Sequence, residues 1–186
     1  MFNLSLDFVN SSWYATHKTN EEILTNVELL MEFFKKRNIQ IDMMPDKDVM
    51  SNLLKLRRLL SKAFDDITNN KAIPKDIIIK INTYLTLAHY EREIYEGDGK
   101  YKLKLQPIHR DWNWIMSEIV ASFIELLSDN DMSRVKVCQN PDCRWFFYDE
   151  TKSHTKRWCD ETCGNLMKVR KFRAKQKAIQ PSKEEL

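Results

Sequence analysis

All four cysteines of this 186-residue chain fall in its last quarter, where they form two pairs. Four residues separate Cys138 from Cys143, three separate Cys159 from Cys163, and fifteen lie between the pairs. Zinc takes four soft ligands in a tetrahedron, and two tight turns that each offer two thiolates supply them. Because no ligand position is left open, the spacing predicts one structural Zn²⁺ and not a catalytic ion.

Other uses of these cysteines have less support. Disulfides need an oxidising compartment, and the first ten residues, MFNLSLDFVN, lack the basic start of an export signal. A redox pair normally shows C-x-x-C spacing, which does not occur here. His154 is an alternative fourth ligand, although it stands within a basic loop. We therefore expect a reduced zinc site in a cytoplasmic protein.

The sequence lacks the residue patterns of common enzymes. Its three glycines exclude a glycine-rich phosphate loop and a dinucleotide-binding fingerprint. The four histidines are scattered, and neither a Ser-His-Asp pattern nor H-E-x-x-H is present. No apolar run approaches the roughly 18 residues of a membrane span. We expect no catalytic residues, no enzymatic activity and no membrane association.

A strongly basic segment follows Cys163. Residues 164–177 include six basic side chains and no acidic one. At 100° per residue, an apolar stripe of Val169, Phe172 and Gln176 would pack on the zinc module. A helix of one charge sign repels itself and suits a polyanion, so the segment predicts nucleic-acid binding. The cations would form two exposed rows, Lys168, Lys171 and Lys175 on one flank and Arg170, Arg173 and Lys177 on the other.

The rest of the chain differs in charge and predicts a separate domain. Residues 136–186 carry a net charge of +5, against −2 for residues 1–135. We expect a mostly helical α+β domain over residues 1–130 and the zinc module over residues 135–180. The predicted elements of the first domain are a strand in 4–11, a helix behind the Thr19–Glu22 capping box, a helix from Asp46 to about Thr68, a helix from Pro74, a hairpin over 90–105 and a helix from Asp111.

Four polar residues stand among apolar neighbours in this first domain. They are Asp7, Asn10, Arg57 and Arg110. If they converge, they form a small polar pocket in an apolar surround, the usual form of a site for a small-molecule effector. The alternative is that Asp7 pairs with an arginine, Arg57, Arg110 or the neighbouring Arg58, while the others are solvated.

Two stretches of the sequence resemble known domains. CQNPDCRWFFYD and RWCDETCGNLMKVRKFRAK resemble the CGNR zinc finger, while LSLDFVN resembles the start of the ABATE domain that precedes this finger in bacterial stress-induced transcription regulators. The resemblance implies a bacterial zinc-ribbon or treble-clef protein that binds DNA, or RNA instead. It adds Gly164 and Asn165 to Lys168, Arg170 and Arg173 as signature residues. Leu166 replaces an arginine of the family, the first cation of the Arg170 row.

Together these observations predict a transcriptional regulator. Its first domain would sense an effector or form a homodimer, and its finger would bind DNA. We expect the lysines to contact phosphates, and Arg170 and Arg173 to contact base edges. The alternatives are an RNA-binding protein and a zinc-ribbon module that docks on an acidic protein.

Overall fold

The structure is a computed structural model that describes residues 3–12, 21–41 and 43–179. The chain forms two compact units, Met1–Ser133 and Arg134–Leu186. Helices and two small antiparallel hairpins make a mixed α+β fold, as predicted. The helices described are α1 Leu4–Asn10, α2 Val27–Lys35, α3 Lys47–Thr68, α4 Lys75–Leu85, α5 Trp112–Asp129 and α6 Glu161–Ile179. The strands are β1 Tyr90–Gly97, β2 Lys100–Pro107, β3 Val135–Val137 and β4 Phe146–Tyr148, and 3₁₀ turns cover Ile23–Thr25 and Met132–Arg134.

The two longest helices of the first unit carry its core, and their starts are confirmed. Asp46 caps α3 by accepting a hydrogen bond from Val49 N at 2.8 Å, and Asp111 caps α5 in the same way. The rings of Phe64 and Phe123 meet edge to face at 4.9 Å and join the two helices. The fully buried side chains of α3 include Leu53, Leu56, Leu60 and Phe64.

The predicted strand at the start of the chain is wrong, because this segment is the helix α1. The Asn3 side chain caps it by accepting from Leu6 N at 3.0 Å, and it also donates to Ser122 O of α5. Nearly all of its residues are buried, including Phe8 and Val9. A short helix buried on most of its faces carries apolar residues at every spacing, so the alternation gave a false strand signal.

The helix predicted behind the Thr19–Glu22 capping box begins later than expected. Within the described residues of that box, Glu22 caps only the 3₁₀ turn, while Asn26 caps α2 by accepting from Leu29 N at 3.1 Å. The Glu22 carboxylate instead turns to Arg57 of α3. Glu22 therefore forms an ion pair with α3 and does not cap α2. Thr19 and Asn20 lie outside the described residues.

The hairpin of β1 and β2 is confirmed. Gly97 pairs with Lys100, which leaves Asp98 and Gly99 as a two-residue turn. Both turn residues have positive φ, 56° and 68°, as a type I′ turn requires. Nearly every side chain of the two strands is exposed.

Among the described helices, none is long and apolar enough to cross a membrane.

Candidate metal centre

The short hairpin of the second unit positions the first two cysteines. β3 pairs with β4 through Val135 to Tyr148 and Val137 to Phe146. Directly after β3, Cys138 N donates to Trp145 O at 2.8 Å, which continues the hairpin to the first thiol. The turn that follows brings Cys143 back, with Cys143 N donating to Asn140 O at 2.9 Å. Asn140 is itself buried, and its amide donates to Cys163 Sγ at 3.4 Å.

The start of α6 positions the other two cysteines. Asp160 caps this helix by accepting from Cys163 N at 2.8 Å, and Cys163 follows Cys159 by one turn. The sulfur atoms of Cys143 and Cys159 are 3.7 Å apart, as are those of Cys159 and Cys163. All four sulfurs lie within 4.8 Å of one another.

This geometry fits a single zinc ion. Zn–S bonds of about 2.3 Å in a tetrahedron place the sulfurs about 3.8 Å apart. The two measured separations of 3.7 Å agree with that value. His154, the alternative ligand considered from the sequence, is not a member of the cluster. The four cysteines therefore form a site suited to one structural zinc ion, as predicted.

The electrostatics of the cluster make it dependent on a cation. Burial raises the pKa of the Cys143 thiol to about 12, and burial with the neighbouring thiols also raises the pKa of Cys159. Zinc supplies the positive charge that stabilises the thiolates, so its binding displaces protons and weakens as the pH falls. Backbone and side-chain donors assist, because Cys159 N points to Cys138 Sγ at 3.5 Å.

A buried carboxylate organises the loop between β4 and the second cysteine pair. Asp149 accepts hydrogen bonds from Lys136 Nζ at 2.6 Å, from Lys156 N at 3.0 Å, and from both the hydroxyl and the backbone N–H of Thr151. Burial alone would raise the pKa of Asp149, but these four bonds hold it well below its ordinary range. Sequence reasoning missed this residue, because its only local signal is an acid directly after a strand.

Aromatic residues between the cysteine pairs contribute to the small core of the second unit. Phe147 is buried, and the Lys156 ammonium lies 5.3 Å from the centre of its ring. Trp158 packs against the first turns of α6 at Gly164. A Cβ atom added at Gly164 would lie 3.2 Å from Trp158 Cδ1, tighter than ordinary contact. This glycine therefore lets the helix approach the indole closely.

The outer part of α6 is exposed on every side. The predicted packing of Val169 and Phe172 on the zinc module is wrong, because these side chains are 45% and 63% exposed. β3 and β4 have only three residues each and cannot reach beyond the first two turns of α6. The exposed polar and basic residues of the helix are Asn165, Lys168, Arg170, Lys171, Arg173, Lys175 and Lys177.

The surroundings of two residues of this helix affect the predicted nucleic-acid contacts. Arg170 forms an ion pair with Asp142 of the first cysteine loop, with Nη2 2.5 Å from Oδ2. The predicted base contact of Arg170 would therefore have to replace an existing partner. Leu166 is 40% exposed and not buried against the zinc module, so an arginine at that position would lie in solvent.

The charged members of the predicted effector pocket each interact with a different partner in the first unit, and the pocket itself stays a prediction. Asp7 pairs with Arg37, with a distance of 3.0 Å between Oδ2 and Nε, and not with Arg57, Arg58 or Arg110 as the alternative predicted. The Arg37 guanidinium also stacks over Phe33 at 3.7 Å. Arg110 instead lies over the ring of Trp114, at 5.8 Å.

The other two members of the predicted pocket are buried. Asn10 is in α1, and Arg57 donates to Ser11 Oγ at 3.0 Å and to both carboxylate oxygens of Glu22. The three charged members, Asp7, Arg57 and Arg110, thus each have a different partner. The ion pairs of Arg37 and Glu22 were not predicted, because their partners lie 30 and 35 residues away along the chain.

Comparison with known proteins agrees with the geometry of the second unit. Residues 134–176 match the CGNR zinc finger family. No curated protein sequence matches the chain. The matched segment contains all four cysteines and most of α6, so the chain carries a CGNR zinc finger with a site for one zinc ion. The resemblance of the first residues to an ABATE domain stays a prediction.

Proposed function

We propose that the protein binds DNA through α6 of its zinc finger and acts as a bacterial transcription regulator. One observation carries the proposal. Six cations on α6 are exposed, and no acidic residue occurs between Thr162 and Ile179. Solvated helices normally mix charge signs to form pairs at i,i+4, and a helix that does not do so is suited to a polyanion.

The geometry of α6 is compatible with a DNA groove. A helix of 19 residues is about 28 Å long, and the major groove of B-DNA admits a helix. The zinc centre fixes the first two turns and leaves the remaining turns exposed. Lys168, Lys171 and Lys175 would neutralise phosphates, and Arg173 would reach base edges. Arg170 would exchange Asp142 for the nucleic acid.

The role of the first unit follows from this proposal. A regulator that forms a dimer would present two basic helices to DNA, and dimers commonly read two half-sites. We assign the first unit to dimerisation, with a small-molecule effector as a further role. A four-cysteine zinc site requires reduced thiols, so we place the protein in the cytoplasm.

RNA binding is a second candidate, and a specific residue favours it. Phe172 is 63% exposed and stands between Lys171 and Arg173. An exposed aromatic ring among cations can stack on an unpaired base, which duplex DNA does not offer. Single-stranded RNA therefore belongs in the same binding experiment as duplex DNA.

Removing single lysines from α6 tests the proposal. Lys171→Ala and Lys175→Ala should each weaken binding to all DNA sequences equally and lower the slope of log K against log salt by about one unit. Lys80→Ala is the matched control, because Lys80 is an exposed lysine on α4 of the first unit. Fluorescence anisotropy over a salt series on duplex DNA, single-stranded RNA and an acidic protein measures these slopes.

The three ligands distinguish the proposed functions. Tighter binding to duplex DNA with a steep salt slope supports DNA binding, and tighter binding to single-stranded RNA supports the second candidate. Binding to the acidic protein alone, with no salt-dependent binding to either nucleic acid, would contradict both and favour the docking module.

Asp142 should act as an internal competitor for the nucleic acid. Asp142→Asn releases Arg170 and removes a negative charge beside α6, so we expect about threefold to fivefold tighter DNA binding at low salt. Glu161→Gln is the control, because it removes the same charge from an exposed acid at the start of α6. Equal effects of both variants would show that only net charge matters and that Arg170 is not restrained by its ion pair.

A further inference from the structure

The β1–β2 hairpin of the first unit has two chemically different faces. Side chains alternate along a strand, so every second residue shares a face. One face, here called the apolar face, carries Tyr90, Arg92, Ile94 and Glu96 of β1 and Tyr101, Leu103, Leu105 and Pro107 of β2. The other face carries Glu91, Glu93 and Tyr95 opposite Gln106, Lys104 and Lys102.

The apolar face is uncovered in the part of the chain that the structure describes. Ile94, Tyr101, Leu103 and Leu105 are between 60% and 75% exposed. The hairpin is tied to the helices at its base, where Tyr90 Oη donates to a Glu118 carboxylate oxygen at 2.6 Å. A two-stranded hairpin alone in water is marginally stable, and a cluster of exposed large apolar side chains marks an interaction surface.

Two charged residues on the apolar face indicate what covers it. Arg92 and Glu96 stand on either side of Ile94, two residues away in each direction along β1. Within the described residues, neither has an ion-pair partner. Four residues along a strand span about 13 Å, so the two side chains do not reach each other in one chain. A face with a cation at one end and an anion at the other is complementary to itself when one copy is reversed.

We infer that the apolar face of the hairpin binds a second copy of this chain face to face. A two-fold axis that passes beside Ile94, across the strands, stacks β1 on β1 of the second copy in the reverse direction. Arg92 then faces Glu96 of the second copy, and Glu96 faces its Arg92. On β2, Leu103 faces Leu103 of the second copy, and Leu105 faces Tyr101.

The other symmetric arrangement, in which the hairpins pair edge to edge, leaves the apolar face uncovered. Side chains stand roughly perpendicular to a sheet, so a strand added at the edge of β1 or β2 does not cover Ile94, Leu103 or Leu105. Face-to-face stacking buries the four exposed apolar side chains.

The interface is small, so the dimer should be reversible. A standard interface takes about 800 Å² from each partner, and one hairpin face of eight residues offers less than that. We therefore expect a monomer–dimer equilibrium that depends on concentration. This inference does not rest on DNA binding and can be tested without any ligand.

Reversing the two charges tests the inference in the zinc-loaded full chain. Sedimentation velocity over a concentration series should show a dimer for the unchanged protein. Arg92→Glu or Glu96→Arg alone should raise the dissociation constant about tenfold or more, because each places like charges face to face. The double variant with both changes should return to within about threefold of the unchanged protein, because the two ion pairs form again with reversed polarity.

Two further variants separate this interface from a general effect on the hairpin. Leu103→Lys should give a monomer at all concentrations, whereas Glu91→Arg on the opposite face should leave the dissociation constant unchanged. Circular dichroism and zinc content should be unaltered in every variant. A monomeric unchanged protein, open-ended assemblies larger than a dimer, or a double variant as weak as the single ones would overturn the inference.

Discussion

Replacing Cys159 by serine is expected to unfold residues 138–177 while the helices of the first unit remain intact. The thiolate of Cys159 lies 3.7 Å from those of both Cys143 and Cys163, so its loss opens the tetrahedron on two sides. About 10–16 kcal/mol of apparent zinc-binding energy is available to fold a module of this size. Hydrogen exchange should show loss of protection over the finger alone.

Metal analysis and a control variant complete this test. Reduced, freshly purified protein should contain one zinc per chain, and a chelator should produce the same unfolding as the substitution. Thr162→Ser is the matched control, because it alters an exposed residue next to Cys163 without removing a thiolate. A protein without zinc that keeps full protection in residues 138–177 would refute the structural role of the metal.

Removing the guanidinium of Arg57 should destabilise the first unit by about 1–3 kcal/mol, because Ser11 Oγ and the half-buried carboxylate of Glu22 would lose their hydrogen-bond donor. Arg57 is buried within α3 and donates to Ser11 and to both oxygens of Glu22. Arg57→Met keeps most of the side-chain volume and removes only the charge and the donors. Lys55→Met is the matched control, since Lys55 is an exposed cation on the same helix and does not act on Glu22. Hydrogen exchange of the α3 amides measures the change in this unit.

The pH dependence of the same variant distinguishes lost electrostatics from lost packing. Burial alone would raise the pKa of Glu22, but hydrogen bonds from Arg57 and Leu24 N, with the charges of Arg57 and Arg58, lower it overall. A lowered carboxyl pKa stabilises the fold above the unfolded value of 4.5, and this stability is lost as the pH falls through the folded pKa. Arg57→Met should therefore lose stability mainly above pH 4.5. An equal loss at all pH values would indicate packing alone.

The predictions that succeeded from sequence depend on residues close together along the chain. Asp46 and Asp111 cap helices within three residues of themselves, and Asp98 and Gly99 form a turn by their own backbone preferences. Such features are decided locally, so residue type and spacing predicted them. The segment Leu4–Asn10 failed the same reasoning, because its burial between α3 and α5 removed the periodicity that distinguishes a helix from a strand.

The sequence by itself determined the zinc centre, because each cysteine pair is held by one tight turn and zinc accepts only a few ligand arrangements. It also determined the number of cations on α6. Only the tertiary structure decided which charges are paired: Asp7 with Arg37, Arg57 with Glu22, and Asp142 with Arg170. These partners lie 28 to 35 residues apart. An ion pair forms wherever folding brings opposite charges together. The spacing of neighbouring residues in the sequence does not predict which distant residues will meet.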